Sequence, residues 1–387
     1  MKKKYFLLAV LGIVFSCMSG LHWPHNAEAQ YLWQDAQEIA RVRQGESSDF
    51  YKSSKSMIRW AEKVEKQVIP LLTEKESVPP SGDKRDYTSL AIYYWPDDTK
   101  LSGLPYVNHD GKVNPEKNDL SKYDAKRLET IVSQLRALSL GYAVSGREDF
   151  AQRACEILDA WFIQPETRMN PNLEYAQLVP GKRTGGPSGI IDTVILIGAV
   201  DNLHMLEGSA AYTPERQKEV RQWFHAYADW LRTSKHGQQE SAAHNNHGVW
   251  YDAQLAVFYH FAGEDERARR ILRAVKEKRM EPQMAADGSL PLELARTRPM
   301  QYSIYTLRAY LTLARLGEVL GVNLYDVQTK NGSGLQKSID FILPYARGEK
   351  LLPRQDVAEW KADAFFLMLH AANRHYRNPA YEPNAGR

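Results

Sequence analysis

Leu128-Glu129-Thr130-Ile131-Val132-Ser133-Gln134-Leu135-Arg136-Ala137-Leu138-Ser139-Leu140-Gly141-Tyr142 is the stretch on which the fold turns. Leu128, Ile131, Leu135, Leu138 and Tyr142 follow one another at steps of three and four, which sets them on one face of an α-helix. The pattern returns in Phe150, Ala154, Ile157 and Trp161, in Ile191, Val194, Ala199, Leu203 and Leu206, and in Val220, Phe224, Tyr227 and Leu231. It continues in Ile304, Leu307, Leu311 and Ala314 and ends in Phe365, Leu369 and Ala372. Helical stripes separated by short breaks, such as Val144-Ser145-Gly146-Arg147, Tyr212-Thr213-Pro214-Glu215, Phe261-Ala262-Gly263-Glu264 and Leu320-Gly321-Val322-Asn323, force neighbouring helices to run antiparallel. The expected fold is therefore all-α: a stack of helical hairpins that curvature closes into an α/α toroid with a cleft.

Two segments break the helical period. Residues 78 to 121 carry Pro79-Pro80, Tyr93-Tyr94-Trp95-Pro96 and Gly103-Leu104-Pro105-Tyr106, and residues 165 to 189 carry Pro171, Pro180-Gly181 and Gly185-Gly186-Pro187. Loops this long in a compact helical domain are usually functional, so they are expected to line the cleft.

The N-terminus reads as a secretory signal: Lys2-Lys3-Lys4, an apolar run from Tyr5 to Met18, then Ala27-Glu28-Ala29 as a cleavage site. The apolar run is too short for a confident membrane span. Residues 1–29 are expected to be removed, and 30–387 to form one catalytic domain in the periplasm or outside the cell; lipid attachment at Cys17 is the alternative. Processing takes away three lysines and one glutamate from a chain whose formal charge is +3, leaving it nearly neutral. Such a chain has no footprint for nucleic acid. Cys155 is then the only cysteine, in an apolar stripe that suits packing better than nucleophilic attack.

Three constellations carry candidate chemistry. Ala243-His244-Asn245-Asn246-His247-Gly248-Val249-Trp250 stands at a helix start; capping needs one such polar residue, and four stand in a row. Leu290-Pro291-Leu292-Glu293-Leu294-Ala295-Arg296 leads to Pro299 and Tyr302, and a proline in the first turn would put Tyr302 near a positive helix end. Tyr302 and Tyr305 as core aromatics, and Arg296 as a surface charge, is the competing reading. Tyr93-Tyr94-Trp95 on the first loop suits stacking on sugar faces or closing a core edge.

Asn245-Asn246-His247-Gly248, Leu290-Pro291-Leu292-Glu293-x-x-Arg296 with Tyr302, Asn172-Leu173-x-Tyr175-Ala176-Gln177 and Gly189-Ile190-Ile191-Asp192 together resemble the alginate lyase superfamily. In motif order the chain is similar to polysaccharide lyase family thirty-eight and, more distantly, family five, from about Tyr87 to the C-terminus. The resemblance implies an α/α toroid, no cofactor or essential metal, and β-elimination on an anionic polyuronate of polymannuronate or glucuronan type. It implies Tyr302 as base and acid, with Asn246, His247 and Arg296 neutralising the uronate carboxylate. Asn245, His244, Tyr93, Tyr94, Trp95, Gln177, Arg183 and Trp250 are the expected substrate contacts. A free tyrosine ionises near ~10, and Arg296 and the helix N-terminus are expected to lower that value.

Three rivals stay open. Glu240, His244 and His247 at i, i+4 and i+7 fit a metallohydrolase. Asp192, Asp252 and Glu293 offer carboxylates for a glycoside hydrolase. A non-catalytic glycan-binding protein would keep the aromatic loops without needing Tyr302.

Overall fold

The computed structural model describes residues 35–48, 51–352, 356 and 362–382. The expected signal segment and Cys17 lie outside the described residues. Fourteen α-helices follow in chain order among the described residues. They are α1 (Ala36–Arg43), α2 (Ser54–Glu65), α3 (Ala125–Ser145), α4 (Glu148–Leu158), α5 (Ile195–His204), α6 (Pro214–Thr233) and α7 (Lys235–Ser241). After them come α8 (Asn246–Phe261), α9 (Asp265–Val275), the single turns α10 (Glu281–Gln283) and α11 (Pro291–Leu294), then α12 (Pro299–Leu320), α13 (Leu335–Ala346) and α14 (Ala362–Tyr376). None is long and apolar enough to cross a membrane.

Burial sorts the helices into two layers. Helix α8 buries Gly248 through Phe261 almost without interruption, except at His260, and α3 and α12 are likewise buried on most sides. Helix α9 buries only Ala268, Leu272 and Val275, a single stripe with charged residues elsewhere. A helix apolar all round belongs inside and a striped one outside. The contacts agree: α3 packs on α5, α5 on α8 and α8 on α12, while α2 and α4 back α3, α6 and α9 back α8, and α13 backs α12. This is the expected α/α toroid, its inner ring made of α3, α5, α8 and α12. Breaks fall where the sequence put them: α3 ends on Gly146 at φ +70° and α12 on Gly321 at φ +71°, left-handed positions that glycine adopts without a Cβ clash.

The two irregular segments meet each other. Strand β1 (Thr88–Leu90) of the first pairs in parallel with β4 (Tyr175–Leu178) of the second, and β2 (Tyr94–Trp95) pairs antiparallel with β3 (Val107–Asn108) inside the first. Lys75 fixes the base of this layer. Its ammonium is fully buried and donates to the carbonyls of Lys84 and Asp86 and to Asp124 Oδ2 at 2.6 Å; Asp124 in turn accepts from the Thr88 amide. Cys155 is buried, and burial pushes its thiol up to about 12, consistent with packing.

Candidate active site

A cavity of about 400 Å³ opens where the loop layer covers the N-terminal ends of α8 and α12. The loops contribute Tyr93, Tyr94, Asp110, Gln177 and Arg183; the helices contribute Asn246, His247, Gln301, Tyr302 and Tyr305, with Arg296 from the link before α12. Residues more than two hundred positions apart therefore face one space.

The N-terminus of α8 is held by two carboxylates. Asn245 is its N-cap, accepting from the His247 amide. Asn246 donates its backbone N–H to Glu293 Oε1 at 2.7 Å and its side-chain amide to both Glu293 oxygens, at 3.1 and 2.9 Å. That leaves the buried Asn246 Oδ1 without a partner. Burial holds the Glu293 carboxyl above the ordinary glutamate range. His247 Nδ1 lies 2.5 Å from Glu240 Oε1. A carboxylate can only accept, so it draws a proton onto Nδ1 and leaves Nε2 to face other partners. At Gly248 a Cβ would run into the Ala243 carbonyl and the Arg279 guanidinium, so only glycine lets Arg279 brace this turn.

Tyr302 lies in the first turn of α12, with Pro299 at the helix start as expected. Its hydroxyl is 2.9 Å from Arg296 Nη2, which donates to it, and 2.7 Å from the Tyr93 hydroxyl. The Arg296 guanidinium also sits 4.0 Å from the Tyr302 ring centroid and donates to Asp110 Oδ1 at 2.7 Å. This hydrogen bond holds the Asp110 carboxyl below the usual aspartate range. The expected lowering of the phenol is not what the geometry gives. Burial pushes Tyr302 well above its ordinary value, the hydrogen bond with Tyr93 and the charge of Asp110 add to the rise, and the opposing pull of Arg296 is smaller.

The cavity gathers Tyr302, His247, Asn246, Arg296, Tyr93, Tyr94, Gln177 and Arg183 from the residues singled out in the sequence. It does not gather four others. His244 is exposed outside the cavity, and Asn245 is spent on the cap. Trp95 donates its indole N–H to the Lys112 carbonyl. Trp250 is buried beneath the site, its ring 5.0 Å from that of Tyr305. Gln177 has a left-handed backbone (φ +49°), a strained state for a non-glycine residue. Its side-chain amide donates to Asp192, a carboxylate that Tyr87 and Ser89 also hold. Asp110 and Tyr305 are cavity residues that reasoning from sequence passed over as chemistry. An aspartate before glycine in a Pro-rich loop reads as a turn former, and nothing local links it to Arg296.

The rival chemistries find little support in this geometry. Asp252 is buried against Arg279 and Lys278, Asp192 is enclosed by neutral donors, Glu293 is taken up by Asn246, and none of the three lines the cavity. Among the described residues no group of three or more His, Cys, Asp or Glu is placed to hold a metal ion.

The alginate lyase sequence family matches residues 71–352. The fold is similar to that of an alginate lyase from Bacteroides ovatus, with 33% identity, coverage of 91% of this chain and 93% of that one, and a TM-score of 0.85. It is also similar to alginate lyase A1-III from Sphingomonas species A1 (15% identity, coverage 92% and 93%, TM-score 0.55). A variant of A1-III complexed with a tetrasaccharide gives 14% identity, coverage 91% and 89%, and a TM-score of 0.60. The A1-III likenesses speak for the fold alone. No curated protein sequence matches the chain. A family match over most of the chain and a relative at 33% identity agree with the cavity's residues: the chain belongs to the alginate lyase family and is a polysaccharide lyase.

Proposed function

We propose that the chain cleaves a polyuronate of the alginate type by β-elimination, with Tyr302 exchanging the proton. The observation that carries this reading is the shared cavity in which the Tyr302 hydroxyl meets Arg296 and Tyr93 opposite His247 and Asn246. Elimination breaks the C5–H bond, forms the C4–C5 double bond and expels the glycosidic oxygen at C4. The C5 proton is acidic only because a carboxylate is adjacent, and that carboxylate must be neutralised before it can take up more negative charge. Arg296 is a donor in reach of such a group, and the His247 ring is one when Nε2 also carries a proton; preorganised donors of this kind are each worth about 3 to 4 kcal/mol.

Asn246 joins them by turning over. A Glu293 that has taken up a proton donates to Asn246 Oδ1, and the amide is then free to direct an N–H into the cavity. In mannuronate and glucuronate the C5 proton and the C4 oxygen share a face, so one phenolate takes the proton and returns it to the leaving oxygen. Arg296 and Tyr93 each offer a donor to that phenolate. In the C5 epimer, guluronate, the two groups lie on opposite faces; His247 Nε2 is then the base and Tyr302 the acid. Arg183, exposed on the rim without an ion pair among the described residues, suits the carboxylate of a further sugar. We propose secretion to the periplasm or beyond on the N-terminal pattern Lys2-Lys3-Lys4 to Ala27-Glu28-Ala29.

Incubation with polymannuronate, polyguluronate and glucuronan while following ultraviolet absorbance tests the reaction. Elimination leaves an unsaturated sugar that absorbs and hydrolysis does not. Chain shortening without new absorbance would replace the lyase reading by a hydrolase.

A further inference from the structure

We propose that Arg308 is a carboxylate-binding residue of a second subsite, gripping a uronate beside the one that reacts. The inference rests on the polyuronate reading above. Gln301, Tyr305 and Arg308 stand at i, i+4 and i+7 of α12, which sets them on one helix face, and the first two line the cavity. Arg308 follows them just beyond the lining of the cavity, on the order of 9 Å along the helix axis from Tyr302 at 1.5 Å per residue. That is too far to serve the reacting carboxylate, which has Arg296, and suits the next one along the polymer.

What marks Arg308 is the absence of a counter-charge. Guanidiniums nearby in the chain are engaged: Arg279 by Asp252 and two carbonyls, Arg296 by Asp110 and Tyr302, Arg315 by Glu318. No hydrogen bond or ion pair reaches the Arg308 guanidinium among the described residues, although the side chain is largely withdrawn from water. Burial accordingly disfavours its charged form, and among the described residues the phenol of Tyr305 is the one charge effect that opposes this. Beneath Tyr305, the indole N–H of Trp250 is buried and equally unpartnered. A buried cation without a partner destabilises the empty protein. A polymer bearing one carboxylate per sugar supplies the missing anion only when it is bound.

The test compares Arg308→Met and Arg308→Lys with the parent. Met keeps the apolar stem and removes the charge, while Lys restores the charge. With mannuronate oligosaccharides long enough to span both subsites, Arg308→Met is expected to raise KM about tenfold or more, the effect of one lost charge-assisted hydrogen bond. Its kcat should change little, and Arg308→Lys should recover part of the loss. The melting temperature of Arg308→Met should stay level or rise, because an unpaired buried charge has gone. A purely structural arginine predicts the reverse: lower melting and unchanged KM, which would overturn the proposal. Should the parent cleave no uronan, the lyase reading fails by itself; calorimetric binding of polymannuronate to parent and Arg308→Met then decides on Arg308, equal affinities counting against it. Should Arg308→Met not fold, the same comparison with Arg308→Lys and Arg308→Gln stands in, and equal KM across all three overturns the assignment.

Discussion

Lys75 and Arg296 are both cations tied to an aspartate under the same loop layer, yet they are built to opposite ends. Lys75 is sealed from solvent, and its three ammonium protons are taken by two carbonyls and Asp124. Arg296 keeps about a quarter of its side-chain surface, and its partners, Asp110 and the Tyr302 hydroxyl, both face the cavity. One cluster is closed on itself and holds backbone in place. The other has bonding capacity left over, and a polar network left open beside a cavity is where a substrate can compete for the charge.

The widest separation of the two clusters should come from Tyr302→Phe. It removes the group proposed to exchange the proton and little else, so turnover should fall by about 10³-fold or more while oligosaccharide affinity stays within a few-fold. A near-parent rate, read by ultraviolet absorbance, would move the proton chemistry to another residue. Next in size is Lys75→Met, which strips Asp124 of its closest counter-charge and leaves it in the interior with Arg127 alone, at 3.7 Å. Unfolding free energy should drop by about 3–5 kcal/mol, measured by denaturant melts, and the surviving folded fraction should keep the parent's KM. A raised KM with little loss of stability would mean that Lys75 serves the site directly.

Glu293 tests whether the open cluster needs a proton. Glu293→Ala removes the grip on Asn246 and should lower kcat by about 10²-fold. Glu293→Gln keeps a donor for Asn246 Oδ1 and an acceptor for its backbone N–H, so it should stay within several-fold of the parent. The sign of the stability effect follows from the raised carboxyl: the folded chain binds that proton more tightly than the unfolded one. The stabilisation is therefore present at low pH and lost as pH rises through the folded value. Glu293→Gln should melt higher than the parent at neutral pH and converge with it in acid; the opposite order would show that Glu293 works as an ionised anchor.

The helices were readable because the period of apolar residues is a local property: the stripe from Leu128 to Tyr142 is α3, and Gly146 and Gly321 end helices where a left-handed residue is needed. Asn246, His247, Arg296 and Tyr302 were readable because each sits in a motif at a helix start. Trp250 was misplaced because it stands one turn beyond Asn246 and His247 on nearly the same face of α8, beneath the cavity, and the neighbouring motif cannot say how far the cavity reaches. Asp110 and Tyr93 lie 186 and 209 residues from their partners. Their roles come from the pairing of β1 with β4 and of β2 with β3, contacts that no local pattern encodes. The pull of burial on Tyr302 was hidden for the same reason, since its surroundings are assembled from the loop layer.

Asp110 gives the smallest effect and the finest cut. For Tyr302 to act as base its phenol must be ionised, and burial holds it largely protonated at neutral pH in the empty site. The rate of mannuronate cleavage should therefore climb with pH across the neutral and mildly alkaline range. Asp110 works against ionisation twice, by its own charge and by taking part of Arg296. Asp110→Asn removes the charge while keeping an acceptor for Thr297, so the alkaline limb should move toward neutral pH and the rate there should rise a few-fold. If the limb stays where it is and the rate falls instead, Asp110 is holding Arg296 in the position the substrate needs. The open cluster would then share with Lys75 the task of fixing geometry, and the contrast between the two would narrow to solvent access alone.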